Sequence, residues 1–233
     1  MFRRLFLWAA LAFAVAGPLS AADPNKEYII VSGGVSLHVW EKWKSNPHDG
    51  WWLNFIRAAR IRIQQIQQEQ GPDAKITWFV YSDAYKTRQK QENQDLFSII
   101  TSVRDAYRVK LIYLSRTREL IDYLNSGQNR AAVKIANFEF FGHSNKACFM
   151  FDYSNSIDSA SKVWLHEDEL KQIRRGIFAR DAFVKSWGCH TGESFSRKWY
   201  AATGVRMWGA IGKTQYQTEE LPTLSSAGAS WTR

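Results

Sequence analysis

The amino-acid sequence predicts an α/β fold, a mostly parallel six-stranded sheet with helices on both faces, and three observations lead to it. Short apolar, β-prone runs alternate along the chain with longer segments whose apolar residues recur at helical spacing. Several of the short runs stop at glycine followed by a polar or reactive residue, as in FEFFGHS and VKSWGCHTG. The 233 residues have ordinary apolar content, enough for one sizeable core, so a single domain over residues 23–222 is expected.

The elements follow in order. Arg3 and Arg4 precede an apolar run from Leu5 to Gly17, and the small residues Ser20, Ala21 and Ala22 close it. This is the outline of a secretory signal peptide over residues 1–22, cleaved after Ala22. The run is well short of the roughly 20 apolar residues that span a bilayer, so export without a membrane anchor is expected, in a periplasmic or extracellular location. Tyr28 to Val31 is a first buried strand that runs into Gly33 and Gly34. The loop after it carries His38, Trp40, Trp43, His48 and Asp49, and loops at the carboxyl end of a strand often carry function.

Between Trp51 and Gln70, six residues (Trp52, Phe55, Ile56, Ala59, Ile63 and Ile66) fall on one face of a long amphipathic helix, which Gly71 and Pro72 stop. Ile76 to Tyr81 is a second strand, and residues 86–94 are a polar, exposed stretch. A helix over Leu96 to Tyr107, a strand over Val109 to Leu114 and a short helix over Thr117 to Leu124 come next. Val133 to Phe141 is a strand ending at Gly142 and His143, and the apolar run Cys148 to Phe151 returns soon enough to form a small hairpin. Residues 166–175 look helical, with acids first and Arg174 and Arg175 last. Ala182 to Trp187 is a strand ending at Gly188 and Cys189. Phe195, Trp199 and Ala202 mark a helix, Val205 to Ile211 a last strand, and residues 223–233 a loose tail.

Lys and Arg number 31 against 22 Asp and Glu, a net charge of +9 that falls to +7 once the leader is removed. The excess favours acidic partners in general, but the cations are scattered and match no nucleic-acid motif, so no specific nucleic-acid partner is expected. Neither oligomeric state nor any cofactor can be read from the residues.

Two strands end in reactive groups, His143 and Cys189. As neighbours in one parallel sheet they would emerge at the same edge, where open α/β sheets bind ligands. A thiol beside an imidazole can attack a carbonyl carbon, and the backbone N–H groups of Cys189 and Ser144 stand where a tetrahedral oxyanion needs donors. His190 is an alternative base, though adjacent side chains leaving a strand point apart. A zinc site from His143, Cys148, Cys189 and His190 matches no common ligand spacing, and no metal is expected.

His143 precedes Cys189 by 46 positions, the run CHTG at residues 189–192 resembles the CHSG of metacaspases, and FGHS at residues 141–144 is similar to their SGHG. The chain thus resembles caspase-like cysteine peptidases of the metacaspase, gingipain and clostripain group. The resemblance implies a three-layer α/β/α sandwich, a Cys189–His143 dyad and a peptide or protein substrate. Metacaspases carry an aspartate two positions before the cysteine, where it binds a basic substrate residue; Trp187 stands there in this chain. A carboxylate partner for such a residue would then come from Asp49, Asp152 or Glu193. The competing reading is a non-catalytic binding module of the same fold. In it Trp40, Trp43 and Trp51 form a ligand platform, and Cys148 and Cys189 are structural or disulfide-bonded.

Overall fold

The structure is a computed structural model that describes residues 22–43, 51–153, 157 and 161–233. The leader up to residue 21, His48 and Asp49 lie outside the described residues, as does the side chain of Trp43.

Strand β1 (Lys26–Ser32) is followed by a 3₁₀ turn over His38–Trp43 and another over Trp51–Leu53, then helix α1 (Asn54–Gln70). Next come β2 (Ile76–Tyr81), α2 (Ser82–Glu92), α3 (Leu96–Tyr107), β3 (Lys110–Leu114), α4 (Thr117–Ser126) and β4 (Lys134–Phe141). A hairpin of β5 (His143–Ser144) and β6 (Cys148–Met150) takes β7 (Trp164–His166) as its third strand. The chain finishes with β8 (Phe178–Ser186), α5 (Phe195–Thr203), β9 (Gly209–Ile211), β10 (Thr214–Gln215), β11 (Thr223–Leu224) and β12 (Ser230–Thr232).

The central sheet has five strands in the order β3-β2-β1-β4-β8, all parallel. Because side chains alternate along a strand, β1 sends Ile29 and Val31 to one face and Tyr28 and Ile30 to the other. The first face packs with β4 and β8 residues against Leu120 and Leu124 of α4 and Phe195 and Trp199 of α5. The second packs against Phe55, Ile56, Ile63 and Ile66 of α1 and Ile100 of α3. All six apolar residues read as the inner face of the first helix are buried. The α/β class and the parallel sheet flanked by helices therefore stand.

The polar stretch 86–94 is largely exposed, as expected; most of it belongs to α2, which has no apolar stripe because one of its inward positions is Arg88, 2% exposed and held by Glu41, Glu92 and the Ser36 carbonyl. Three expectations are corrected. The helix expected over residues 166–175 is only a 3₁₀ turn, Glu167–Gln172. The expected sixth strand contributes one parallel bridge, Trp208 to Lys185, before β9 turns to pair antiparallel with β12. Its first residues are spent on leaving α5: Gly204 takes a left-handed φ of 81°, and the Val205 N–H donates to Thr203 Oγ1. The tail is not loose, since β11 pairs with β10 and β12 with β9.

Candidate active site

The carboxyl ends of β1, β4 and β8 meet at one edge of the sheet, and close backbone packing holds them there. The Gly33 N–H donates to Phe141 O and the Gly34 N–H to Phe151 O. At Gly188 a Cβ would lie 2.1 Å from Ser144 Oγ and 2.9 Å from Gly142 O, so only glycine lets the two strand ends approach this closely. Ser144 Oγ then donates to Cys189 O at 2.7 Å, tying the segment that carries His143 to the one that carries Cys189.

Both residues line a cleft of about 410 Å³ at this edge. The His143 ring is gripped by aromatic neighbours: Phe55 of α1 meets it at 5.0 Å and 85°, and Tyr153 at 4.5 Å. Phe55 in turn packs edge-on to Tyr216 at 4.8 Å. Tyr216 also lines the cleft, and its hydroxyl accepts from the Gly142 N–H at 2.9 Å. Burial keeps the Tyr216 phenol well above its ordinary range, and it pushes Tyr153 up to about 12, helped by the charges that Cys148 and Cys189 can carry. Both phenols stay neutral at physiological pH.

Cys189 is free and partly exposed. Its sulfur accepts from the Thr214 N–H at 3.3 Å, and Thr214 Oγ1 stands 3.6 Å away while bonded to Trp187 O at 2.9 Å. An N–H aimed at sulfur is placed to stabilise negative charge there. No described residue accepts from the Cys189 N–H. Ser144 lies opposite Phe149, next to the pair in which the Asn145 N–H donates to Cys148 O; the alternation of an antiparallel ladder therefore turns the Ser144 N–H away from β6.

The other sequence-read positions lie elsewhere. His190 has a left-handed φ of 61°, and its Nδ1 bonds Glu193 Oε1 at 2.5 Å; neither residue lines the cleft. That bond lowers the Glu193 carboxyl below its ordinary range. Asp152 is buried and accepts from Tyr81 Oη at 3.0 Å, off the cleft wall. Trp187 is a core residue: it stacks on Phe141 and donates from Nε1 to the buried Glu139 at 2.7 Å. Of the tryptophans read as a platform, Trp51 lines the cleft and Trp40 does not. Cys148 is also free, buried and held by Asn145 Oδ1 at 3.3 Å, and burial raises its thiol. Among the described residues no group of three or more His, Cys, Asp or Glu could hold a metal ion.

Several cleft residues are not among those expected from the sequence. Glu41 and Asn54 lie in segments read for their aromatic and apolar residues, and Thr214 to Thr218 follow the last strand in a stretch without periodicity. For Asn54 a signal existed: it is the lone carboxamide in the apolar run WWLNFI.

Searches of protein-family models, curated proteins and solved structures find no match to this chain.

Proposed function

We propose that the protein is an exported cysteine endopeptidase of caspase-like type, with Cys189 as nucleophile and His143 as general base. The observation that carries this reading is the meeting of the two residues in one cleft at the carboxyl edge of a parallel sheet, on strand ends 46 positions apart. In the reaction the imidazole takes the thiol proton and the thiolate sulfur bonds to the scissile carbonyl carbon. The C–N bond then breaks as the amine takes the proton from the imidazolium, and water hydrolyses the thioester to release the acid and restore the thiol. The Cys189 and Ser144 N–H groups supply oxyanion donors, and the Thr214 N–H supports the thiolate. Export rests on the leader read from the sequence; among the described residues no helix is long and apolar enough to cross a membrane.

A mixed fluorogenic peptide library tests the proposal. Wild-type protein should release the fluorophore, Cys189→Ala should show no turnover, and His143→Ala should lose roughly two to four orders of magnitude in kcat. Turnover that survives in Cys189→Ala overturns the assignment. The aromatic wall of Trp51 and Phe55 also suits a binding module without turnover; peptide binding equal in wild type and Cys189→Ala, with no cleavage by either, would favour that second reading.

A further inference from the structure

Thr214 meets the Cys189 sulfur with three of its own polar groups. Its N–H donates to Sγ at 3.3 Å, its hydroxyl oxygen stands 3.6 Å from Sγ, and its carbonyl oxygen accepts from the thiol at 3.7 Å. Both ends of the residue are fixed. The backbone of Thr214 lies in β10, opposite Leu224 of β11, and the hydroxyl donates to Trp187 O at 2.9 Å. Thr214 and Cys189 both line the cleft. Any residue but proline at this position would supply the N–H; threonine adds a hydroxyl within reach of the sulfur.

The two protonation states of the sulfur ask opposite things of that hydroxyl. A hydroxyl has one proton and two lone pairs, and it rotates to suit its partners. Beside a thiol, its proton goes to Trp187 O and a lone pair faces the S–H. Beside a thiolate, the same lone pair would face negative charge. Two hydrogen bonds then compete for one proton, a neutral one to the Trp187 carbonyl and a charge-assisted one to sulfur. Charge-assisted bonds are roughly twice as strong as neutral ones, so the proton turns to the sulfur. The turn is a rotation about the Cβ–Oγ1 bond, and the oxygen itself stays where it is.

We infer that Thr214 is a catalytic residue whose hydroxyl swings its proton from Trp187 O to Cys189 Sγ when the thiol ionises. The inference rests on the peptidase reading of the cleft, in which the S–H proton passes to the His143 imidazole and the electron pair stays on sulfur. The thiolate is then met by two donors of one residue, the N–H and the O–H of Thr214. Once the sulfur has bonded to the carbonyl carbon its charge is gone, and the hydroxyl returns to Trp187 O.

Alkylation of Cys189 by iodoacetamide reads the thiolate without any substrate. Rates are measured from pH 6 to 10 and assigned by peptide mass spectrometry, which separates Cys189 from the buried Cys148. Thr214→Val keeps the shape and the N–H and removes the hydroxyl. Below pH 7 it should react ~10-fold more slowly than wild type, and the gap should close toward pH 10, where the solution ionises the thiol in both proteins. Thr214→Ser, which restores the hydroxyl, should stay within about twofold of wild type throughout. A slowdown that is the same at every pH marks a structural effect alone and overturns the inference. Equal rates in Thr214→Val and wild type, or a Thr214→Ser profile as slow as that of Thr214→Val, overturn it as well. If Thr214→Val does not fold, Thr214→Ala removes the same hydroxyl and is judged by the same profile. The peptidase reading fails separately: if no peptide is cleaved, that reading falls, and the alkylation profiles still decide whether the Thr214 hydroxyl serves the thiolate.

Discussion

Gly188 shows how one missing side chain holds the site together. The hydrogen bond from Ser144 Oγ to Cys189 O exists only because nothing projects from the backbone between them. In Gly188→Ala the serine hydroxyl can rotate away, but Gly142 O, 2.9 Å from the new Cβ, belongs to the backbone and must be pushed aside. The variant should lose about 1–3 kcal/mol of stability in urea unfolding and much of its turnover. Ser144→Ala, which removes only the hydrogen bond, should lose about 1 kcal/mol. His143 and Cys189 were legible in the sequence because glycine followed by a reactive residue at a strand end is a local pattern. The acids were not: Asp152 and Glu193 are claimed by Tyr81 and His190, partners 71 positions away in the first case and three in the second. Trp187 sits beside the nucleophile in sequence, yet its indole turns to Glu139 in the core.

Among the elements, α2 is the clearest case of structure hidden by polarity. Hydrophobic periodicity finds helices whose inner face is apolar, and here Ala84 and Tyr85 share that face with Arg88. Arg88 Nε donates to Glu92 at 2.6 Å, Nη2 pairs with Glu41, and Nη1 donates to Ser36 O at 3.1 Å. The helix is thereby fastened to the segment that lines the cleft. Arg88→Met should cost about 3–5 kcal/mol, because it leaves two carboxylates facing each other with their cation gone. Arg88→Lys should recover little, since an ammonium cannot reach three partners as a planar guanidinium does. Urea midpoints of the three proteins check both statements. The sequence places β2 to the residue and β3 and β4 to within one, because apolar runs bounded by glycine or polar residues define them locally. The last strand was overextended because its partner, β12, lies about 20 residues further on in a tail without periodicity.

At the scale of the whole molecule, the C-terminal residues close the fold over a caged lysine. Lys185 of β8 lies 3.5 Å from the ring centre of Trp187 and 3.8 Å from that of Trp231 in β12, with Glu139 and Arg62 beside it. Burial lowers its ammonium to about 8, against the pull of Glu139 and the attraction of the two indole faces, while Arg62 adds to the lowering. Below pH 8 folded and unfolded chains both carry the proton. Between about 8 and 10.5 the unfolded chain still binds it and the folded chain releases it, so this lysine makes stability rise with pH across that window. The side chain meets some water, which limits the gain to on the order of 1 kcal/mol. Thermal melts from pH 7 to 10.5 should show this rise in wild type relative to Lys185→Met; equal pH slopes would refute it. By itself the sequence determined the α/β class, most strand limits, the long helix and the two reactive strand ends, because each depends on residues within one turn or one pleat of each other. The tertiary structure decided which polar groups line the cleft and which are buried in ion pairs. It also placed the C-terminal strands beside the nucleophile, because those choices depend on partners far along the chain that only packing brings within hydrogen-bond reach.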